Sequence, residues 1–364
     1  MHFDLFNELS VPDFADRRET EVFSDTLDLW TLAETLGFTT GWLVEHHFMP
    51  EYSHSTAPAL FLAAASQRTR RLRLGHAIVP LPYHHPIQVA ERLATLDVLS
   101  GGRVDFGYGR GFSPIEYAAF GRQMRDSRSY TAESLDIIRQ ALATGEITHH
   151  GRHFDFDGLR ILPHAVQRPH PPIWAAAVSP ESFELAAQAG VGVLVGPFKP
   201  WFMVREDIRR YHDAWQRHHG NGAPRPDQNR RIAMTVGIHC HADHRTARRE
   251  ARDAFVWFYR HLLGQTRAIL EQLYEGYEYY RRFGKLGTLA GKAISLSVLE
   301  TLGMTLVGDP AHCRKRLREL REAGVDHVLC AFGAGVMPRT QTEAGMRLFA
   351  EQVMPEFARS THLR

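Results

Sequence analysis

The sequence predicts an α/β fold, a (β/α)8 TIM barrel that forms a single domain over residues 1–364. Short apolar runs alternate with amphipathic helical patterns, which is typical of repeated βα units. Eight such units can be counted. This number favours a closed barrel over an open, doubly wound sheet, which remains the alternative.

Each predicted unit pairs one short apolar run with one amphipathic stretch. The predicted strands span residues 2–7, 41–45, 72–79, 103–108, 172–177, 192–195, 231–239 and 326–332. The predicted helices span residues 19–36, 58–68, 86–99, 129–143, 180–189, 200–219, 243–262 and 309–323, with a last one at 339–352. Gly37, Gly190 and Gly324 follow helices where a glycine commonly ends the helix, because glycine adopts positive φ without strain.

Two segments interrupt the alternation and are predicted to be insertions, at about 145–171 and 263–300. The first has the glycines of a hairpin and leaves through a proline-rich stretch, so we expect a β-hairpin there. The second contains clustered tyrosines between the seventh helix and the eighth strand. Those tyrosines fit either a lid over the site or an aromatic stripe packed on the barrel.

Composition and charge favour a cytoplasmic enzyme with a small-molecule substrate. Lys and Arg exceed Asp and Glu by only 43 − 41 = 2, so no basic excess indicates nucleic acid. No apolar run approaches the roughly 18 residues of a membrane span. The N-terminus reads as a strand, with no signal peptide. The cysteines, Cys240, Cys313 and Cys330, are too few and scattered for a disulfide framework or a zinc knuckle.

Polar residues follow several predicted strands at the end of the barrel where active sites gather. Glu45-His46-His47 follows strand two, and the side chains of adjacent strand residues point to opposite faces. One imidazole can therefore face a ligand while the other is held by packing. Because imidazole moves protons near neutral pH, we expect an acid/base group here, and the alternative is a loop with two solvated histidines.

Two further stretches indicate a ligand with a phosphate. The glycines of Gly107–Gly111 do not fit a dinucleotide fingerprint, because Phe112 stands at the third glycine position. These glycines instead predict the close approach of a ligand ring, and Arg110 could bind a phosphate or form a rim salt bridge. Ser179-Pro180 is typical of a helix start, which is either an anion site or a plain cap.

The order of short motifs along the chain resembles the bacterial luciferase α-chain and the wider luciferase-like flavin monooxygenases. The resemblance covers about residues 1–240 and 301–358. Its motifs are Glu45-His46-His47-Phe48, Ala77-Ile78-Val79, His85-Pro86, Gly102-Arg103, Phe106-Gly107, Arg110-Gly111, Asp126-Ser127-Arg128, Ala186-Ala187-Gln188, Leu348-Phe349 and Val353-Met354-Pro355.

The resemblance implies a two-component monooxygenase that uses reduced FMN (FMNH2) and inserts oxygen from O2 into a small organic substrate through a C4a-hydroperoxyflavin. A separate NAD(P)H:flavin reductase would supply the FMNH2, since the chain shows no nicotinamide site, and a homodimer is expected. The alternatives are an F420-dependent hydride-transfer enzyme on the same barrel and a non-catalytic flavin-binding homologue. A metal-dependent barrel hydrolase is disfavoured because strand one lacks a His-x-His, so no metal site is predicted.

The resemblance also implies roles for single residues. His46 would be the acid/base group, and His47 and Glu45 would orient it or line the pocket. A non-prolyl cis peptide would lie at His76–Ala77, beneath the flavin ring. The remaining residues implied to contact the flavin or its phosphate are Tyr108, Gly109, Arg110, Arg128, Val178, Ser179 and Ser182. Val178 stands where luciferase has a carboxylate, and Gly109 stands where it has a cysteine.

Overall fold

Eight parallel strands close into a barrel in the computed structural model, which describes residues 1–197, 199–273 and 294–358. The strands in chain order are β1 (His2–Asn7), β2 (Thr40–Leu43), β3 (Arg73–His76), β4 (Val79–Pro80), β5 (Val104–Gly109), β6 (Glu146–His150), β7 (Asp155–Arg160), β8 (Ile173–Ala176), β9 (Gly192–Val195), β10 (Ile232–Cys240), β11 (Thr305–Gly308) and β12 (His327–Phe332). The barrel order is β1-β2-β3-β5-β8-β9-β10-β12, and β12 pairs with β1 to close it. The predicted fold class is confirmed.

Helices cover the outside of the barrel between these strands. They are α1 (Glu19–Leu36), α2 (Pro58–Arg68), α3 (Pro86–Ser100), α4 (Pro114–Ala119), α5 (Ser127–Thr144), α6 (Pro180–Gln188), α7 (Trp201–His219), α8 (His244–Leu273), α9 (Leu296–Thr301), α10 (Pro310–Glu322) and α11 (Arg339–Gln352). Gly37, Gly190 and Gly324 all have positive φ after their helices, as predicted. None of the described helices combines the length and the apolar character that a membrane span requires.

Several elements differ from the prediction. The predicted strand at 72–79 is two strands, β3 and β4, and helix α8 continues to Leu273 rather than ending near 262. Strand β11 was not predicted. It pairs with the C-terminal half of β10, at Gly237–Cys240, because β10 is nine residues long and extends past its ladder with β9.

The first predicted insertion is confirmed and the second is described only at its ends. Strands β6 and β7 pair antiparallel as a hairpin within residues 145–171. In the second insertion, α8 and α9 account for residues up to 273 and from 296 to 301. Residues 274–293, with all of the clustered tyrosines, lie outside the described residues.

Large apolar side chains from several strands fill the barrel interior. Trp42 of β2 and Trp174 of β8 are fully buried and meet edge to face, with ring centroids 5.6 Å apart. The indole N–H of Trp42 donates to Asp4, and that of Trp174 donates to Asp105. This packed interior leaves the ends of the barrel as the places where a ligand can bind.

Candidate functional site

The polar groups predicted after strands two to five meet at one end of the barrel. Leu43, at the end of β2, pairs with His76, at the end of β3. Strand β4 then pairs with β5, where Pro80 lies opposite Gly109. Strand β5 pairs in turn with β8, which leads to Val178 and helix α6. The predicted site residues therefore share the C-terminal rim.

Glu45 is a buried anion that holds two histidines. Its Oε1 accepts hydrogen bonds from Nε2 of His47 at 3.2 Å and from Nε2 of His84 at 2.5 Å. Burial raises the pKa of Glu45, but these two hydrogen bonds and the charges of the histidines outweigh it and lower the pKa to about 2. Glu45 is therefore ionised at neutral pH and orients His47.

His46 lies between two other carboxylates. Its Nδ1 is 3.7 Å from Oε1 of Glu116, and its Nε2 is 3.8 Å from Oε2 of Glu8. The side chain is 13% exposed, and its buried Nδ1 has no hydrogen-bond partner. Burial lowers the pKa of His46, but Glu116 and Glu8 outweigh that effect and raise it above its ordinary value. The side chains of His46 and His47 thus lie next to different carboxylates. This agrees with the prediction that the side chains of these adjacent residues point in opposite directions.

Glu8 and Glu116 were missed by the sequence reasoning. Glu116, in α4, accepts from the backbone N–H of His47 at 2.8 Å and from the hydroxyl of Tyr83 at 3.1 Å. Glu8 accepts from the hydroxyl of Tyr52 at 2.9 Å. Glu8 directly follows β1, so the rule that selected the ends of strands two to five would have found it. Nothing in the sequence around Glu116 indicates that its carboxylate reaches His46.

The non-prolyl cis peptide lies between Ala77 and Ile78, so the prediction of His76–Ala77 was wrong by one residue. The N–H of Ala77 still donates to the carbonyl of Leu43, at 2.8 Å. The hydrogen bonds between the chain after β3 and β2 therefore continue to Ala77, and the cis bond comes directly after this residue. His76 is buried, and its Nδ1 has no hydrogen-bond partner. Burial lowers its pKa to about 4, so the imidazole is neutral at pH 7.

The glycines of β5 are required by the protein's own packing. A Cβ on Gly107 would lie 2.0 Å from the carbonyl oxygen of His76, and one on Gly109 would lie 2.8 Å from Ile78. The sequence predicted that a ligand ring approaches these glycines. The carbonyl of His76 and the side chain of Ile78 already occupy that space. The Tyr108 side chain packs beside Phe106 in the core shared with α5, and burial raises its pKa to about 12. Only the backbone of Tyr108 faces the rim.

The start of α6 brings the predicted phosphate ligands together. Ser179 caps the helix and accepts from the N–H of Ser182 at 3.3 Å. The hydroxyl of Ser182 accepts from the N–H of Val178 at 2.9 Å, so Val178 joins this helix start through its backbone and not through its side chain. Arg110 reaches Ser127, in the first turn of α5, at 3.5 Å.

Arg128 is held by a carboxylate of the same helix start. Its guanidinium forms a two-pronged ion pair with Glu181, in the first turn of α6. The hydrogen bond from Arg128 lowers the pKa of Glu181, as does the charge of Arg110. A phosphate that binds Arg128 must therefore displace Glu181 from it. Among the described residues, no group of three or more His, Cys, Asp or Glu side chains is arranged to hold a metal ion.

A model of the luciferase-like monooxygenase family matches residues 5–327. The 4-hydroxyprotoasukamycin monooxygenase of Streptomyces nodosus subsp. asukaensis is 32% identical over 91% of this chain and 87% of its own length. The oxygenase component of the flavin-dependent trigonelline monooxygenase of Acinetobacter baylyi is 32% identical over 54% of each chain. That second alignment thus covers only about half of the relative.

The fold also matches that of a solved monooxygenase. The crystal structure of monooxygenase RslO1 from Streptomyces bottropensis superposes with a TM-score of 0.79 at 29% sequence identity. The match covers 98% of this chain and 100% of that one. The likeness therefore extends over the whole barrel, including the strands that carry the rim residues.

Proposed function

Because the chain belongs to the luciferase-like monooxygenase family, we propose that it is the oxygenase component of a two-component system that uses FMNH2 and O2 to oxygenate a small organic substrate. Family membership supports a flavin-dependent monooxygenase. The Acinetobacter baylyi relative is an oxygenase component, which supports a separate NAD(P)H:flavin reductase for this chain. We include a homodimer and a cytoplasmic location in the proposal.

The observation that carries the proposal is that His46 and the start of α6 lie on the same rim. Ser179 and Ser182 form the cap of this helix, Arg110 would offer donors to a phosphate there, and the N-terminal end of α6 adds its partial positive charge. The rim also holds two buried imidazole nitrogens without partners, on His46 and His76. These polar groups fit a flavin that lies between the phosphate donors and His46.

Bound FMNH2 would supply the electrons that activate O2, and the chain would control protons and water. We assign His46 the acid/base role, because its carboxylate neighbours favour the imidazolium and leave a proton available at the rim. Glu45 and His47 act indirectly, since Glu45 fixes His47, whose N–H orients Glu116. Phe112 and Tyr52 lie 5.3 and 5.8 Å from the His46 ring and keep water from it.

Anaerobic titration tests the choice of cofactor. We expect FMNH2 to bind more tightly than oxidised FMN, and reduced F420 to bind weakly or not at all. The readout is the fluorescence of the protein's tryptophans, with riboflavin as the control for the phosphate. Tight F420 binding without FMNH2 binding would overturn the proposal in favour of hydride transfer.

Separate experiments test the flavin reductase as partner and the homodimer. Oxygenation should proceed with any reductase that supplies FMNH2, because the chain needs only the free reduced flavin. Sedimentation of the purified chain should give twice the monomer mass of 41.4 kDa. Activity that appears with NAD(P)H alone would contradict the two-component system, and a monomer would contradict the dimer.

A further inference from the structure

Glu8 is a buried carboxyl group that the proposed chemistry uses only as one of the acidic neighbours of His46. It follows β1 at the rim and is almost fully buried. Its Oε1 accepts from Tyr52, while its Oε2 has no hydrogen-bond partner and faces Nε2 of His46 at 3.8 Å. An unpaired buried oxygen is costly unless it serves a purpose or is protonated.

Glu8 lines a cavity between α1 and the end of β12. Its volume is about 60 Å³, which is room for a few water molecules. Polar groups recur along its wall, among them Ser10, Thr26 and Thr342. At its outer end are Arg17 and Arg339, which are partly exposed. The cavity therefore connects the neighbourhood of Glu8 with the surface.

We propose that Glu8 is a proton relay that connects the water of this cavity with His46. In this transfer, the proton that Glu8 and His46 share lies on Oε2 of Glu8, and the neutral His46 ring carries its other proton on Nδ1. As Nδ1 gives that proton to a ligand at the rim, Nε2 takes the proton from Oε2, so the Nδ1–H and O–H bonds break as the Nε2–H bond forms. The resulting carboxylate takes a proton from a water molecule in the cavity, which solvent resupplies through the cavity. This inference rests on the proposed acid/base role of His46, and it adds the route by which that proton is replaced.

The surroundings of Glu8 suit both halves of this transfer. Burial raises the pKa of Glu8, although His46 and Tyr52 oppose the shift, so the carboxyl group is in its protonated form more readily than an exposed one. Glu116 and Glu45 both raise the pKa of His46, which makes Nε2 of the neutral ring a ready acceptor. Tyr52 holds the carboxyl group in place through its hydroxyl. A small movement of either side chain brings the 3.8 Å between Oε2 and Nε2 within hydrogen-bond reach.

The test measures the exchange of the His46 imidazole proton with water by nitrogen-15 NMR of histidine-labelled, cofactor-free protein. The His46→Ala variant assigns the signal. Glu8→Gln keeps the shape and the contact with Tyr52 but cannot pass a proton, so we expect exchange to slow by about tenfold or more. Unchanged exchange in Glu8→Gln would overturn the relay.

A second pair of variants tests the cavity as the route. Thr26→Leu should fill part of the cavity and slow exchange, whereas Thr26→Val loses the same hydroxyl, keeps the volume and should not. Slowing in Glu8→Gln without slowing in Thr26→Leu would overturn the cavity route. If Glu8→Gln fails to fold, Glu8→Asp replaces it, and the relay predicts exchange within a few-fold of the parent. Because no flavin is present, these outcomes are independent of whether the parent oxygenates a substrate.

Discussion

His46 combines two properties that a proton-transfer group at a flavin site needs. It is held by packing and charge rather than by a hydrogen bond from its Nδ1, so that atom remains available to a ligand. Its carboxylate neighbours raise its pKa, so the protonated form persists to a higher pH than in an exposed histidine. His47 is held differently, because Glu45 accepts from its Nε2 and Phe120 packs against its ring, with centroids 4.9 Å apart.

The first prediction is that His46→Ala keeps the fold and the affinity for FMNH2 but lowers product formation by about 10²–10⁴, the usual contribution of a positioned acid/base group. Product is measured under single turnover with preformed FMNH2. His47→Ala is the matched control, and it should lower thermal stability instead, because Glu45 loses a donor. Parent-like product formation by His46→Ala would remove His46 from the chemistry.

The second prediction concerns Glu45 and pH. Its pKa in the folded protein is about 2, below the ordinary value of 4.5, so its stabilising contribution is complete above pH 4.5 and disappears as the pH falls towards 2. Glu45→Gln should therefore lower the free energy of unfolding at pH 7 by about 3 kcal/mol, on the order of that shift. The difference from the parent should shrink in urea unfolding series at successively lower pH below 4.5.

An equal loss at pH 7 and at pH 3.5 would show that Glu45 acts through packing and not through its charge. The matched control for losing a hydrogen-bonded carboxylate elsewhere in the chain is Glu133→Gln. Glu133 is also held by hydrogen bonds, from His149 and from backbone N–H groups, but lies by the hairpin insertion, away from the rim.

Helix α6 is the element on which the cofactor proposal depends most. Its start offers a serine cap and the positive end of the helix dipole to an anion, yet its first turn also carries Glu181, whose carboxylate occupies Arg128. A phosphate must compete with that carboxylate. This competition makes the two arginines unequal, although the sequence predicted the same role for both.

The third prediction follows from that competition. Arg110→Ala should weaken FMNH2 binding by about 1.5–3 kcal/mol, as expected for a lost charge-assisted hydrogen bond. Arg128→Ala should cost less, because in the parent a phosphate gains Arg128 only by displacing Glu181 from it. Glu181→Gln should strengthen binding by about 0.5–1 kcal/mol, since a negative charge leaves the phosphate site. Anaerobic calorimetry with FMNH2 measures all three variants.

Riboflavin is the control for these variants, because it lacks the phosphate and its affinity should not respond to any of them. Equal changes for riboflavin and FMNH2 would show that the arginines are structural. Weaker FMNH2 binding by Glu181→Gln would show that the carboxylate supports the site and does not compete for it.

Among the helices and strands, the sequence predicted those that a local pattern of residues encodes. Each barrel strand is an apolar run, and Ser179-Pro180 starts α6 because a serine cap and an early proline suit a helix start. Strand β11 lies outside the eight-stranded barrel and pairs with the far end of β10, so counting βα units could not indicate it. The contact between Glu116 and His46 joins residues 70 positions apart, since 116 − 46 = 70, and depends on how α4 packs.

The barrel as a whole is organised around its interior tryptophans. Trp42 lies against the backbone of the next strand at Gly75, where a Cβ would be 2.2 Å from the indole ring. Trp42 and Trp174 are also tied to buried carboxylates, so neither indole can move without losing a hydrogen bond. Gly75 is therefore required by the close packing of the barrel interior. It is not required by a turn, because its φ is not positive.

The fourth prediction is that Gly75→Ala destabilises the protein by about 1–3 kcal/mol, the usual cost of overpacking a well-filled core. Cooperative urea unfolding, followed by tryptophan fluorescence, measures the loss. Gly222→Ala is the matched control, because a Cβ there meets nothing within 4 Å and the residue has ordinary φ, so stability should stay within about 0.5 kcal/mol of the parent. The double variant Gly75→Ala with Trp42→Phe should recover part of the loss, since the smaller ring makes room for the added methyl group. No recovery would show that the methyl group clashes with the backbone of the barrel, and that the tryptophan is not what limits the space at this position.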